Sequence, residues 1–248
     1  WTAVVALLVL PGACGGEDLT GPDPDDFGVL FVGNSLTYAN DLPGILERLL
    51  TLGGVENAVV EAEARPNYGL PDHWVSGSAR ERIGAGGWSV VVLQQGPSAT
   101  EGRPYLLEYA PRFADEIRSA GGRPALYMVW PARSRSFDFD GVLDSYRTAA
   151  EQVDGLFFPA GEAWRIAWER DPDLALYGPD GFHPSLLGTY LAALVMYEQL
   201  AERDPRELPS HVPTAEGDVP LEPEVAALLQ EAAREANARH ARAAGSPE

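Results

Sequence analysis

The amino-acid sequence predicts an α/β protein, a three-layer α/β/α sandwich built around a parallel five-stranded sheet. Two patterns carry this expectation. Short apolar, β-rich runs at 28–32, 58–63, 89–93, 125–129 and 156–158 alternate with longer stretches whose apolar residues recur at helical spacing. The runs are apolar along most of their length, as strands covered on both faces are. Strand and helix alternating in this way give a parallel sheet with helices packed on it.

Taken in order, the chain opens on a charge-free apolar stretch, 1–10, followed by Pro11, Gly12, Ala13 and the single cysteine, Cys14. Ten apolar residues fall short of the ~20 that span a bilayer. They suit the core of an export signal before a small-residue cleavage site, and we read 1–14 that way. Residues 15–26 are rich in Gly, Pro, Asp and Glu and read as a flexible linker. A single domain is expected over 27–248, beginning near Phe27. Its helices are expected at 42–52, 105–120, 139–153, 162–169 and 186–202, the last with a broad apolar face, and a final helix at 222–242 comes after a Pro-rich connection.

Composition narrows the function classes. With 18 Lys and Arg against 37 Asp and Glu, the net charge of −19 repels nucleic-acid phosphates, so no nucleic-acid partner is expected. One cysteine permits neither an internal disulfide nor a cysteine-based zinc site. Neither Gly-x-Gly-x-x-Gly nor a lysine-bearing phosphate loop occurs, and we expect no cofactor and no metal.

Ligands of open parallel sheets bind beyond the carboxyl ends of the strands, so the residues just after each run are the first candidates for a site. After the first stands Gly33-Asn34-Ser35-Leu36-Thr37, after the third Gln94-Gln95-Gly96-Pro97-Ser98, and near the end Asp180-Gly181-Phe182-His183-Pro184. Ser35 lies where a tight strand-to-helix turn presents its hydroxyl. A serine hydroxyl attacks only when a base removes its proton. His183 is the natural base, and Asp180, three residues earlier, can orient its ring. Each piece alone has a plain structural reading, a helix cap for Ser35 and a surface turn for Asp180 and His183. Their placement at both ends of one domain is what a site assembled at the sheet edge requires.

These blocks resemble the SGNH, or GDSL, hydrolases. Gly33-Asn34-Ser35-Leu36 matches the family's first block with Asn in place of the commoner Asp, and Asp180-Gly181-Phe182-His183-Pro184 matches its last. The resemblance covers Phe27 to about Arg203. It implies a flavodoxin-like sheet, ester hydrolysis, and substrates ranging from acetylated sugars to lipids. It also implies an oxyanion hole from the Ser35 N–H, a glycine matched by Gly69, and a third-block side chain. Where Gly-x-Asn-Asp is usual this chain has Gln94-Gln95-Gly96-Pro97, and the role is assigned to Gln94, with Gln95 as the fallback. The expected catalytic residues are thus Ser35, Asp180 and His183, and the expected substrate is a small-molecule or glycan ester.

The small residues before Cys14 resemble a bacterial lipobox, although Pro11 stands where that pattern prefers Leu. On this reading the protein is exported, periplasmic or extracellular, with membrane attachment through a lipidated Cys14. The α/β-hydrolase alternative fails because Thr37 replaces the closing Gly of Gly-x-Ser-x-Gly. A catalytically silent carbohydrate-binding lipoprotein on the same fold is the rival from another class. His73 reads as a loop or substrate-side residue, and His211 and His240 as solvated surface. Trp130 reads equally as pocket lining or core.

Overall fold

The computed structural model describes residues 20–241, so the export-signal reading of 1–14, Cys14 and the first part of the linker lie outside the described residues. Five parallel strands form the main sheet: β1 (Phe27–Gly33), β2 (Ala58–Ala64), β3 (Trp88–Leu93), β4 (Arg123–Tyr127) and β5 (Leu156–Phe158), in the spatial order β2-β1-β3-β4-β5. Val29 to Val32 and Val90 to Leu93 are buried, which accounts for the unbroken apolar runs.

Two helical layers cover the sheet. α2 (Leu42–Leu52), α8 (Leu186–Ala201), α9 (Pro223–His240) and α7 (Ala160–Arg170) pack against one another in series. α3 (Leu70–Ser76), α4 (Ser78–Gly84), α5 (Arg103–Ser119) and α6 (Phe139–Gln152) form the second group. This is the expected three-layer α/β/α sandwich around a parallel five-stranded sheet. Residues 188–197 of α8 are all buried, because neighbouring helices cover the flanks that a surface helix would expose. Gly188 makes this packing feasible: a Cβ there would stand 2.3 Å from Leu176 O and 2.5 Å from the Trp164 ring.

Topology fixes where a site can form. From the end of β1 the chain passes through α2 to β2 on one side, whereas from the end of β3 it passes through α5 to β4 on the other. The two connections diverge at the carboxyl ends of β1 and β3, opening the crevice that α/β sheets use for ligands. Val32 pairs with Leu93, so Asn34-Ser35 and Gln94-Gln95 emerge side by side.

Two segments differ from expectation. Residues 67–87, where no helix is expected, contain α3 and α4, each of seven residues and separated by Gly77 with φ at 86°. Helices this short carry too little periodicity to register in a sequence. The Pro-rich connection before the last helix holds an antiparallel hairpin, β6 (His211–Thr214) and β7 (Gly217–Pro220), in which His211 Nε2 lies 3.4 Å from Asp218. His240 is half-buried rather than solvated and packs edge-on against Phe157 at 5.8 Å.

Candidate active site

Ser35 opens α1 (Ser35–Tyr38), a single helical turn capped by Asn34, whose Oδ1 accepts from Leu36 N at 3.1 Å. As the first helical residue, Ser35 has a backbone N–H without an intrahelical acceptor. Gly33 precedes it for reasons of space: a Cβ would lie 2.4 Å from Thr37 Oγ1 and 2.6 Å from Gln94 Oε1. The turn is therefore drawn tight against the end of β3.

The histidine loop comes up from the other end of the chain. Tyr177 and Pro184 form an isolated bridge, and Gly178 N donates to His183 O at 2.7 Å, closing a small loop. Gly181, at its tip with φ at 68°, sits in the left-handed region that glycine tolerates. Arg133 N donates to Gly181 O at 2.8 Å, and Trp130 Nε1 donates to Phe182 O at 3.0 Å. Trp130 is fully buried and stacked on Trp164 at 3.6 Å, so of its two readings the core one is correct.

The three catalytic candidates meet in one hydrogen-bonded chain. His183 Nε2 lies 2.9 Å from Ser35 Oγ, and His183 Nδ1 lies 2.6 Å from Asp180 Oδ2. With Nδ1–H donating to the carboxylate, Nε2 is the acceptor that faces the serine hydroxyl. Asp180 Oδ1 meanwhile accepts from the Phe182 and His183 backbone N–H groups, each at 3.0 Å. The His183 ring first, and these backbone donors after it, hold the Asp180 carboxyl down at about 2. The Asp180 side chain is 51% exposed, so this contact orients the ring and adds little to stability.

Around the serine opens a cleft of about 520 Å3 lined by Asn34, Ser35, Asn67, Tyr68, Gly69, Pro71, Asp72, Gln95, Gly96, Pro97, Tyr105 and Phe182. The oxyanion candidates separate here. Gln94 is fully buried and absent from this lining; its Oε1 accepts from Asn34 N at 2.9 Å and from Thr37 Oγ1 at 3.0 Å. It therefore braces the nucleophile turn from behind, and the expectation that it faces the reacting centre is corrected. Gln95 lines the cleft: its Oε1 accepts from Leu70 N at 2.6 Å, and among the described residues its Nε2 has no acceptor. The Gly69 N–H is directed to Asp72 Oδ2 at 2.8 Å. A Cβ at Gly69 would lie 2.5 Å from Gln95 Nε2, so a side chain there would displace the Gln95 amide.

Two further residues shape the site in ways their sequence neighbourhood does not announce. Asn34 Nδ2 donates to Tyr68 O at 2.9 Å and reaches Gln95 O at 3.5 Å, clamping together the loops that carry Gly69 and Gln95. His73, read as a loop or substrate-side residue, is instead buried in α3, with its Nε2–H donating to Gly33 O at 2.7 Å, and burial lowers its basicity. Its spacing of three from buried Leu70 on one helical face was the available signal. Among the described residues no three His, Cys, Asp or Glu side chains converge as a metal site. A second cavity, of about 390 Å3, lies at the opposite end of the sheet beside Arg123, Leu156 and Asn237.

Comparison with solved structures agrees with the fold. A protein described as an SGNH hydrolase from Slackia heliotrinireducens superposes with a TM-score of 0.60 at 26% identity, over 70% of this chain and 98% of its own. The chain is related to the SGNH/GDSL hydrolase superfamily. A DUF4886 family protein from Bacteroides uniformis shares the fold of this chain at a TM-score of 0.69 and 19% identity, over 85% of this chain and 94% of its own. So does an acetyl xylan esterase, AlAXEase, at 0.55 and 15%, over 70% and 99%. No protein-family model matches the chain, nor does any curated protein.

The two glutamines are expected to separate by stability. Gln94→Ala leaves the buried Asn34 N–H without its acceptor and is expected to cost about 1–3 kcal/mol, read as a lowered thermal midpoint. Gln95→Ala, at the cleft surface, is expected to melt close to wild type.

Proposed function

We propose that the protein is a serine esterase that cleaves carboxylic esters through an acyl-enzyme. The hydrogen-bonded chain from Ser35 Oγ through His183 to Asp180, at 2.9 and 2.6 Å, carries the reading. His183 Nε2 takes the Ser35 proton as Oγ attacks the ester carbonyl, and Asp180 stabilises the imidazolium that results. The negative charge moves to the carbonyl oxygen, where the Ser35 N–H and Gln95 Nε2 are the available donors. Collapse of this intermediate expels the alcohol, which receives its proton from His183. Water then attacks the acyl-serine with His183 again as base, releasing the acid and restoring Ser35.

Among esters, an acetylated carbohydrate suits the cleft best. Asn67, Asp72 and Gln95 offer polar groups to hydroxyls, while Tyr68 and Tyr105 offer ring faces. The name of the acetyl xylan esterase neighbour is consistent with this choice. A silent binding protein has no need for a serine hydroxyl and an imidazole held in proton-transfer range, and so we favour the enzyme. The apolar stretch before Cys14 supports export and lipid attachment as part of the same proposal. Among the described residues no helix is long and apolar enough to cross a membrane.

Ser35→Ala and His183→Ala are each expected to lower kcat on a chromogenic acetyl ester by roughly 10⁴-fold with the fold intact by circular dichroism. A folded Ser35→Ala variant with wild-type turnover contradicts the proposal. Gln95→Ala is expected to reduce kcat about 10²-fold at nearly constant KM, the mark of a contact made in the transition state.

The pH dependence is set by Asp180 being held at about 2. Its carboxyl stays ionised through the neutral and mildly acid range, so Asp180 should not contribute to acid inactivation, which should follow the one base of the proposed mechanism. We expect log kcat/KM to fall with unit slope on the acid side, about tenfold per pH unit. A slope of two over the acid limb would show that a second group titrates with it.

A further inference from the structure

We propose that Asn40 is a positioning residue that sets the spacing of Ser35 and His183. The inference rests on the reading of those two as nucleophile and base. Asn40 lies just beyond α1, where φ of 52° and ψ of 25° put it in the left-handed region, with Asp41 next at 57° and 50°. Asparagine enters this region more readily than most residues, which allows the chain to turn sharply from α1 into α2.

The side chain does more than permit the turn. Asn40 Nδ2 donates to Pro184 O at 3.0 Å and to Thr189 Oγ1 at 2.9 Å. Pro184 O belongs to the residue directly after His183, and Thr189 lies in the first turns of α8. Thr189 is buried, and its own hydroxyl donates back to Ser185 O at 3.1 Å, which leaves a lone pair for Asn40. Both hydrogens of one amide thus tie the nucleophile segment to the base segment.

Other contacts hold each segment to its own surroundings: Gln94 and His73 anchor the serine turn, and Trp130 and Arg133 anchor the histidine loop. Between 34–41 and 176–189, the described residues show direct hydrogen bonds only from Asn40 and in the Ser35–His183 pair itself. Helix packing between α2 and α8 brings the segments together, but apolar contact is non-directional and tolerates small slides. Two directional bonds from a single side chain remove that freedom. A misplacement of about 1 Å at a reacting pair can cost ~10²-fold in rate, whereas losing two neutral, part-buried hydrogen bonds lowers stability without unfolding the domain. The consequence of losing Asn40 should therefore be kinetic.

Two substitutions separate the side chain from the turn. Asn40→Gly and Asn40→Asp both tolerate left-handed backbone, yet the first removes the amide and the second sets a carboxylate against the Pro184 carbonyl. With a chromogenic acetyl ester, each is expected to lower kcat roughly ten- to hundredfold with KM within about twofold of wild type, while circular dichroism at the assay temperature shows the fold intact. Thr189→Val, which keeps the Pro184 bond, is expected to lose less. Wild-type kcat in both Asn40 variants overturns the inference, leaving Asn40 as a turn former; so does a change confined to KM. A wild-type protein that hydrolyses no ester overturns the esterase reading itself, before any variant is compared.

Discussion

The 2.9 Å contact between Ser35 Oγ and His183 Nε2 joins residues 148 positions apart, and most of the architecture serves to hold it. Neither partner is placed by its immediate sequence. Ser35 is placed by β1, which is buried between β2 and β3 and ends where the two crossovers part. His183 is placed by a loop that Trp130, Arg133 and the Tyr177–Pro184 bridge fasten to the carboxyl side of the sheet. A parallel sheet delivers both to one edge because all its strands end on the same side, and the order β2-β1-β3 leaves a crevice there.

Departures from the commoner SGNH blocks are linked by this geometry. Asn34, standing where Asp is more frequent, donates from Nδ2 to the carbonyls of Tyr68 and Gln95. A carboxylate cannot donate, and would face those oxygens with like charge. In the third block, Gln94 supplies the acceptor for Asn34 N–H, while Gln95 reaches into the cleft and accepts from Leu70 N. First and third blocks therefore form one hydrogen-bonded unit. The close approach of Gly69 to the Gln95 amide brings the second block into it.

Much of this was legible in the sequence because long, periodic elements dominate their own local physics. The helix expected at 42–52 is α2, and the run at 28–32 lies within β1, each set by apolar residues that must be buried. The serine, aspartate and histidine were marked by turn chemistry at strand and helix boundaries. What escaped was decided by tertiary contact. Gln94 continues the β3 ladder, its N–H donating to Val32 O, so its side chain turns into the buried layer and Gln95 turns outward; adjacent residues of like chemistry conceal that parity. The short helices α3 and α4, punctuated by Pro71 and Gly77, gave the pattern of a loop. Asn40 carried no signal, because its partners Pro184 and Thr189 become neighbours only when α8 docks beside α2.

Everything functional rests on Ser35 being a nucleophile activated by His183. The most direct measurement is covalent: incubate the folded protein with a fluorophosphonate and map the adduct by mass spectrometry of its peptides. We expect stoichiometric phosphonylation of Ser35, at a rate that collapses in His183→Ala. An unmodified Ser35 in folded protein, or equal labelling with and without the His183 imidazole, contradicts a serine activated by this histidine.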